Sequence, residues 1–219
     1  MGEQERVAVL QQVRAMLPEA ETGDKRAAIL SAAVNVFLRE GFNNAGMDAI
    51  AREAGVAKQT VYSHFGSKDT LFMTMLGMMC EHVIPTDAFE RAMFLPPREG
   101  LTEFGRTFLS GILSAHAIAV FRVVVAESQR ASELGKMFYD CGPTRVKQTL
   151  HRYLERLCGQ GALALDDVPL AGEIFLGMLF GPFYMEKVLG VGGPPTAADQ
   201  ERIVVEAVRV FVKAYGTVR

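Results

Sequence analysis

The sequence of 219 residues has no tryptophan and three cysteines, Cys80, Cys141 and Cys158. An odd cysteine count without a CxxC pair argues against a disulfide framework or a zinc site, so we expect a reducing, cytoplasmic setting. The chain also lacks a large excess of charge of either sign, because 23 basic and 25 acidic residues leave a net charge of −2. A uniformly basic nucleic-acid coat is therefore excluded, and any nucleic-acid contact must come from a local patch.

Long apolar runs and catalytic motifs are also missing. The longest uncharged run, Thr107–Phe121, is too short to cross a membrane. Charges are distributed through residues 1–20, which argues against a signal peptide. We find no GxSxG, HExxH, phosphate-loop or dinucleotide motif. We therefore expect that the protein is not an enzyme, binds no metal or cofactor and has no membrane partner. Turnover of a small molecule would be evidence for the alternative, an enzyme.

Apolar residues recur three and four positions apart over most of the chain, and they make up 49% of it. This periodicity predicts an all-α fold with a substantial core. Proline and glycine clusters separate the helices, and Pro182 should kink one of them near its middle. The predicted helices beyond residue 96 are Glu99–Leu113, Ile118–Gln129, Thr144–Leu157, Asp167–Leu189 and Ala197–Tyr215.

The segment Met47–Phe65 predicts two short helices joined by a tight turn. Gly55 stands where the first helix must end, a position that favours a left-handed backbone. Ala51 is small where the two helices must cross closely, and Val61 lies where it can pack against that crossing. These three requirements coincide in a helix-turn-helix.

The second of these helices should expose a set of hydrogen-bonding side chains and one cation. No Asp or Glu occurs from Lys58 to Ser67. A major groove lined with donors, acceptors and phosphates requires such an inventory. An ordinary solvated helix face is the alternative, and the absence of carboxylates favours DNA. The predicted exposed set is Lys58, Gln59, Thr60, Tyr62, Ser63 and His64.

The segment Lys25–Phe72 resembles the N-terminal domain of the TetR (tetracycline-repressor-like) transcriptional regulators. The matching pieces are Ile29 to Phe37, Gly41-Phe42, Ile50-Ala51, Ala54-Gly55-Val56, Val61-Tyr62, His64-Phe65, Ser67-Lys68-Asp69 and Leu71-Phe72. The remainder is similar to the C-terminal domain of an AefR-like branch, in particular at Phe121–Ala126, Phe138-Tyr139 and Gly142-Pro143.

The resemblance implies an all-helical homodimer with two functional parts. A three-helix helix-turn-helix domain (residues 23–70) would bind a palindromic double-stranded DNA operator. An arm or extra helix (1–22) would precede it. A C-terminal helical bundle (71–219) would dimerise and bind a small effector that releases the operator. The family habit is repression. The alternative is a DNA-binding regulator without a small-molecule effector, controlled by a protein partner or acting architecturally.

The resemblance also assigns DNA contacts by position. It implies that Lys58, Gln59, Thr60 and Tyr62 approach bases and nearby phosphates, that His64 and Lys68 hold the backbone, and that Ser63, Gly46 and Met47 complete the interface. Two positions depart from the family, because Ala45-Gly46 and Ala57 stand where hydroxyl side chains usually cap the two helices. The loss of a hydroxyl cap costs about 1 kcal/mol. Lys25 and Arg26 could add to the contacts.

The last predicted helix, Ala197–Tyr215, has one polar stripe formed by Arg202, Glu206, Arg209 and Lys213. A helix with so narrow a polar stripe is expected to be buried on two sides. One side can face its own core, and the other requires a partner. A central helix in a monomeric bundle is the alternative. The predicted dimer interface comprises Gly177, Gly181, Val204, Val205, Val208 and Val212.

Flexible and aromatic side chains in the C-terminal part can line an apolar ligand cavity. Plain core packing is the alternative for each of them, and His82 and His116 are the candidate polar anchors. The effector would then be a small apolar or aromatic molecule. The predicted lining residues are Met75, Met79, His82, Phe104, Phe108, His116, Phe121, Phe138, Phe175, Phe183 and Tyr184.

Overall fold

A computed structural model describes residues 24–84, 86–128, 132–191, 193 and 195–217. The predicted arm at 1–22 lies outside them. The described residues form ten α-helices, two 3₁₀ turns (Thr86–Phe89 and Ala92–Phe94) and no strand apart from one isolated bridge. The helices are α1 (Lys25–Glu40), α2 (Met47–Glu53), α3 (Lys58–Phe65), α4 (Lys68–Val83), α5 (Pro97–Ile112), α6 (Ala115–Ser128), α7 (Ser132–Cys141), α8 (Pro143–Gly159), α9 (Val168–Leu189) and α10 (Ala197–Tyr215).

The predicted all-α class is confirmed, and the helices predicted beyond residue 96 are present with small differences at their ends. Helix α9 has a non-helical residue at Gly181, with φ 46° and ψ −165°. This break immediately precedes Pro182, where a kink is expected because proline restricts the preceding residue and lacks an N–H donor. Helix α7 was not predicted.

The helices form two compact units. The first contains α1–α4 together with α6 and α7, and the second contains α5, α8, α9, α10 and the two 3₁₀ turns. Each unit has its own apolar core. The division at residue 70 that the sequence predicts is by function, into a DNA-binding part and a ligand-binding part, whereas these two units are defined by their internal contacts. The functional division stays a prediction.

The core of the first unit holds the short helices α2 and α3 in place. Ile50 of α2 and Val61 of α3 are fully buried in it. Beside them, the rings of Phe37, Phe42 and Phe72 pack with centroids 5.0–5.6 Å apart. Helix α1 begins at an N-cap, since the Asp24 carboxylate accepts hydrogen bonds from two backbone N–H groups of the first turn.

The core of the second unit is built on aromatic side chains and close helix approaches. Phe104, Phe175 and Phe211 are all buried. Helices α5 and α10 pack closely at Gly105, where a Cβ would lie 3.1 Å from Val204 Cγ1. Buried Tyr153 hydrogen-bonds through its hydroxyl to the carbonyl oxygens that precede α5, and burial raises its pKa to about 12.

No single helix among the described residues is both long and apolar enough to cross a membrane, although two bent helix pairs reach that length and composition when taken together.

Candidate nucleic-acid interface

The turn between α2 and α3 has the geometry that the sequence predicts. Gly55 adopts φ +66°, a conformation that side chains with a Cβ rarely adopt. The N–H of Val56 donates to the Ala51 carbonyl at 3.0 Å. Ala51 and Val61 are 4% and 0% exposed, so the predicted close crossing of the two helices is confirmed.

Neither helix of this motif has a side-chain cap at its beginning. Gly46 and Ala57 occupy the N-cap positions of α2 and α3 with extended backbones, and neither residue has a side-chain acceptor for the first turn of its helix. The predicted absence of both hydroxyl caps is confirmed. The first N–H groups of α3 that lack intrahelical partners are therefore left for water or for an external acceptor.

Helix α3 presents the predicted polar face to solvent. Lys58, Gln59, Ser63 and His64 are exposed, and Thr60 is half-buried. Tyr62 is 41% exposed, unusual for so large a ring. The structure therefore brings the predicted α3 set together on an accessible surface, and their contact with DNA stays a prediction.

Lys58 has an acidic partner that sequence reasoning missed. Its Nζ lies 2.9 Å from Asp48 Oδ1, and both side chains are more than half exposed. The hydrogen bond to this carboxylate raises the pKa of Lys58. Asp48 lies outside the carboxylate-free segment from Lys58 to Ser67 and comes from the first turn of α2. Its position there, where a helix dipole favours a carboxylate, was the available signal.

Lys68 is engaged within the chain. Its Nζ donates to the carbonyl oxygens of Phe42 and Asn43 at 2.8 and 3.2 Å and lies 4.6 Å from the centroid of the Phe42 ring. Lys68 thus ties the start of α4 to the turn that follows α1. An ammonium group has three donors, so these two bonds leave one for a phosphate.

The remaining predicted DNA contacts differ in accessibility. Met47 is 7% exposed, because its side chain packs in the core, so only its backbone is suited to meet DNA. Gly46 is exposed. Arg26 is also exposed at the start of α1, and its guanidinium lies 4.9 Å from the centroid of the Phe65 ring at the end of α3. This contact places a further cation beside the polar face.

The predicted ligand-lining residues are divided between the two units. The first unit holds Met75, Met79, His82, His116, Phe121 and Phe138, and the second holds Phe104, Phe108, Phe175, Phe183 and Tyr184. Phe104, Phe108 and Phe175 pack on one another and fill the second core. Phe183 and Tyr184 are half-buried, and burial raises the pKa of Tyr184 to about 12. The side chain of His82 lies outside the described part of the chain.

An apolar cavity of about 40 Å³ lies in the first unit. Met75 and Met79 line it, together with side chains of α1, α6 and α7. A cavity that holds a drug-sized ligand has a volume of about 300 Å³ or more. The cavity as it stands is therefore too small for such a ligand, and the lining side chains would have to move to admit one.

Two residues of the predicted dimer interface belong to the core of their own chain. Val204 and Val208 are each 1% exposed, because α10 packs that side against α5. These two side chains are thus removed from the interface. Val212 is half-buried, and Gly177, Gly181 and Val205 remain exposed.

Sequence reasoning missed the larger apolar side chains that lie beside these glycines. Leu170 and Ile174 are 57% and 43% exposed, and with Gly177 and Gly181 they follow one side of α9 at helical spacing. Met185 is 60% exposed beyond the break in the helix. We call these five residues the α9 apolar face.

Two family models match the chain. The model of the bacterial regulatory proteins of the tetR family matches residues 29–75, and that of the AefR-like transcriptional repressor C-terminal domain matches residues 99–217. The structure of a flavonoid-responsive regulator, FrrA, is 30% identical, covers 90% of this chain and 100% of its own, and superposes with a TM-score of 0.76.

Two curated relatives are similar over different lengths. The HTH-type transcriptional regulator SrpR of Pseudomonas putida is 25% identical over 170 residues, which are 75% of this chain and 76% of SrpR. The HTH-type transcriptional activator FasR of Mycolicibacterium smegmatis is 39% identical over 61 residues, which are 28% of each chain. The similarity to FasR thus spans less than a third of that protein.

Proposed function

The chain belongs to the TetR family of DNA-binding transcriptional regulators, and from this premise we propose that it is a repressor that binds a palindromic operator as a homodimer and is released by a small effector. The observation that carries the proposal is the exposed polar face of α3. It combines Tyr62, Lys58 and several hydrogen-bonding side chains on the second helix of a helix-turn-helix.

We assign roles on this face by chemistry. Gln59, Thr60 and Tyr62 carry donors and acceptors that suit base edges, whereas Lys58 and His64 suit phosphates. Ser63 donates to the Thr60 carbonyl, which leaves its hydroxyl oxygen as an acceptor. Two copies of α3 in a homodimer would enter successive major grooves about 34–36 Å apart.

Tyr62→Ala tests the assignment. We expect it to weaken operator binding about fivefold or more, because a base-edge contact contributes about 1–3 kcal/mol. Tyr139→Ala is the matched control, since Tyr139 is similarly exposed, at 49%, but lies on α7. Wild-type affinity of Tyr62→Ala at matched salt would overturn the assignment, provided that both variants keep the oligomeric state of the parent.

The α9 apolar face supports the homodimer. A Cβ at Gly177 would meet open space, so this glycine allows close approach of a second helix, and Leu170 and Ile174 supply apolar area beside it. The exposed Val205 and Val210 of α10 add to the apolar surface of the same unit. A symmetric pair of such faces would form a helical bundle between two copies.

Ile174→Glu tests the homodimer. We expect it to give a monomer in analytical ultracentrifugation, because two buried carboxylates would face each other across a symmetric interface. Val125→Glu is the control, since Val125 is 47% exposed on α6 and belongs to the other unit. A dimer that persists in Ile174→Glu, or a monomer in the wild type, would overturn this part of the proposal.

We propose an apolar or aromatic effector. The family match of residues 99–217 to a regulatory domain and the similarity to a flavonoid-responsive regulator support this class. In the first unit, Met75 and Met79 are flexible side chains that can open the small cavity further. An effector that binds better to one conformer would shift the chain away from the operator-binding one.

A thermal-shift series with flavonoids and other apolar compounds tests the effector. A compound at one hundred times its Kd should raise the melting temperature by about 5–10 °C, since it stabilises the native state by about 2.7 kcal/mol. Met75→Phe, which would fill the cavity, should reduce that shift if the compound enters there. No shift with any compound would favour the alternative, a regulator controlled by a protein partner or acting architecturally.

A further inference from the structure

Two of the three cysteines meet inside the first unit. Cys80 lies in the last turn of α4, and Cys141 is the last residue of α7. Their Sγ atoms are 3.2 Å apart, and no disulfide joins them. Both residues are half-buried, so part of each is exposed to solvent.

Gly142 makes this approach possible. A Cβ at this position would lie 3.2 Å from Cys80 Sγ and 3.4 Å from the Phe138 carbonyl oxygen, so a side chain here would press on the sulfur. Cys158, by contrast, belongs to α8 in the second unit. The fold therefore brings together one specific pair and leaves the third thiol apart.

The two sulfur atoms need little movement to bond. A disulfide bond is about 2.05 Å long, so the atoms would have to approach by about 1.2 Å. Helices α4 and α7 already pack on each other in the same unit, which keeps the partners together. A sulfenic acid formed at one cysteine would thus meet the second thiol at a high effective concentration.

We propose that Cys80 and Cys141 are a modification site, at which a hydroperoxide joins them in an intramolecular disulfide that lowers operator affinity. The disulfide involves only the two cysteines of one chain, whereas its effect on operator affinity rests on the proposed function.

The reaction balances in two steps. One thiolate attacks the terminal oxygen of the hydroperoxide and breaks the O–O bond, which gives a sulfenic acid and, after protonation, the alcohol or water. The second thiolate then attacks the sulfenic sulfur, the S–S bond forms, and hydroxide leaves and is protonated to water. Overall, two thiols and one hydroperoxide give a disulfide, one alcohol (or water) and one water.

The position of Cys80 connects this reaction to DNA binding. Helix α4 begins three residues after the end of α3, and its Lys68 holds the turn at residues 42–43. A cross-link at the other end of α4 fixes that helix on α7. Operator binding requires a defined placement of α3, and a disulfide that holds α4 on α7 disfavours every conformer in which α4 shifts relative to α7.

The first experiment measures the chemistry on the full chain. In the Cys158→Ser background, hydrogen peroxide or an organic hydroperoxide should remove both thiols, lower the intact mass by about 2 Da, and leave a monomeric band on a non-reducing denaturing gel. Dithiothreitol should restore both thiols and the original mass. Cys80→Ser and Cys141→Ser in this background should show no such mass loss.

Three results of this experiment would overturn the proposal. They are thiols that persist under conditions that oxidise a free cysteine, a gain of two oxygens without a disulfide, and a disulfide between two chains. Gly142→Ala is a further probe, since a methyl group pressed against Cys80 Sγ should slow disulfide formation without removing either thiol.

The second experiment measures binding to DNA fragments recovered by selection from the genome. Oxidation should weaken binding at least fivefold in the Cys158→Ser protein, reversibly, and leave the protein that lacks Cys80 and Cys141 unchanged. A disulfide that forms without any change in affinity would overturn the regulatory part. If the reduced protein binds no specific fragment, the proposed function fails, while the mass measurement still decides the disulfide independently.

Discussion

The pair between Lys58 and Asp48 gives the sharpest test of how the α3 face meets DNA. The Lys58 ammonium lies 2.9 Å from the Asp48 carboxylate. The Asp48 carboxylate competes with a DNA phosphate for Lys58, and its negative charge repels the DNA backbone. We therefore expect Asp48→Asn to strengthen operator binding.

The size of the effect follows from counterion release. Each phosphate contact adds about 0.9 to the slope of log K against log salt. A homodimer has two copies of Lys58. If Asp48 prevents both of them from contacting a phosphate, the slope for Asp48→Asn should be steeper than that of wild type by up to about 1.8. Over a fourfold change of salt, from 50 to 200 mM, this corresponds to a factor of about 12 in affinity.

Fluorescence anisotropy at 50, 100 and 200 mM salt measures this slope. The Asp48→Asn protein should bind most strongly relative to wild type at the lowest salt, and the gain should shrink as salt rises. Its melting temperature should change little, because an exposed ion pair contributes little to stability. Glu206→Gln is the control, since it breaks an exposed pair with Arg209 on α10. An affinity and slope equal to those of this control would show that Asp48 does not compete with DNA for Lys58.

Three further predictions concern stability. Ala57→Ser should raise the melting temperature by about 2–4 °C in calorimetry, because it restores an N-cap contribution of about 1 kcal/mol to α3; no increase would show that the hydroxyl fails to cap. Gly100→Ala should lower the melting temperature by several degrees, because the new Cβ would overlap the Tyr153 hydroxyl and lie 2.8 Å from the Ala92 carbonyl oxygen. Gly77→Ala meets open space and should be neutral or stabilising. Equal effects of the two variants would contradict the close packing at Gly100. Between pH 10 and 12 the denaturant midpoint should fall more steeply in wild type than in Tyr153→Phe. The folded chain keeps the Tyr153 phenol proton, with a pKa of about 12, in a pH range where the unfolded chain has lost it, so rising pH favours unfolding. Equal slopes would be evidence that burial does not raise this pKa.

The helices and the helix-turn-helix could be predicted because their signals are local. The spacing of Ala51, Gly55 and Val61 is fixed by the steric needs of one turn, and the structure confirms it. The helix Ala197–Tyr215 was predicted at its observed ends from its continuous helical pattern, and the structure adds a capping box at Thr196. Helix α7 was missed although Leu134 and Phe138 stand four positions apart, since it is short and contains Gly135.

The features that sequence reasoning missed depend on partners distant in the chain. Cys80 and Cys141 are 61 positions apart, and no local spacing indicates that their sulfur atoms meet. The ties of Lys68 to backbone carbonyls 25 and 26 positions earlier are of the same kind. The narrow polar stripe of α10 indicated burial but not which apolar side chains face the core. Val208 was consequently assigned to a partner rather than to its own core.

A footprint of the purified protein on fragments selected from genomic DNA at near-physiological salt would decide whether the chain is a dimeric operator-binding protein. We expect a protected palindrome whose half-sites are centred about one helical turn apart, and its loss in the Tyr62→Ala protein. Binding that is weak, insensitive to sequence and unaffected by Tyr62→Ala would contradict this expectation.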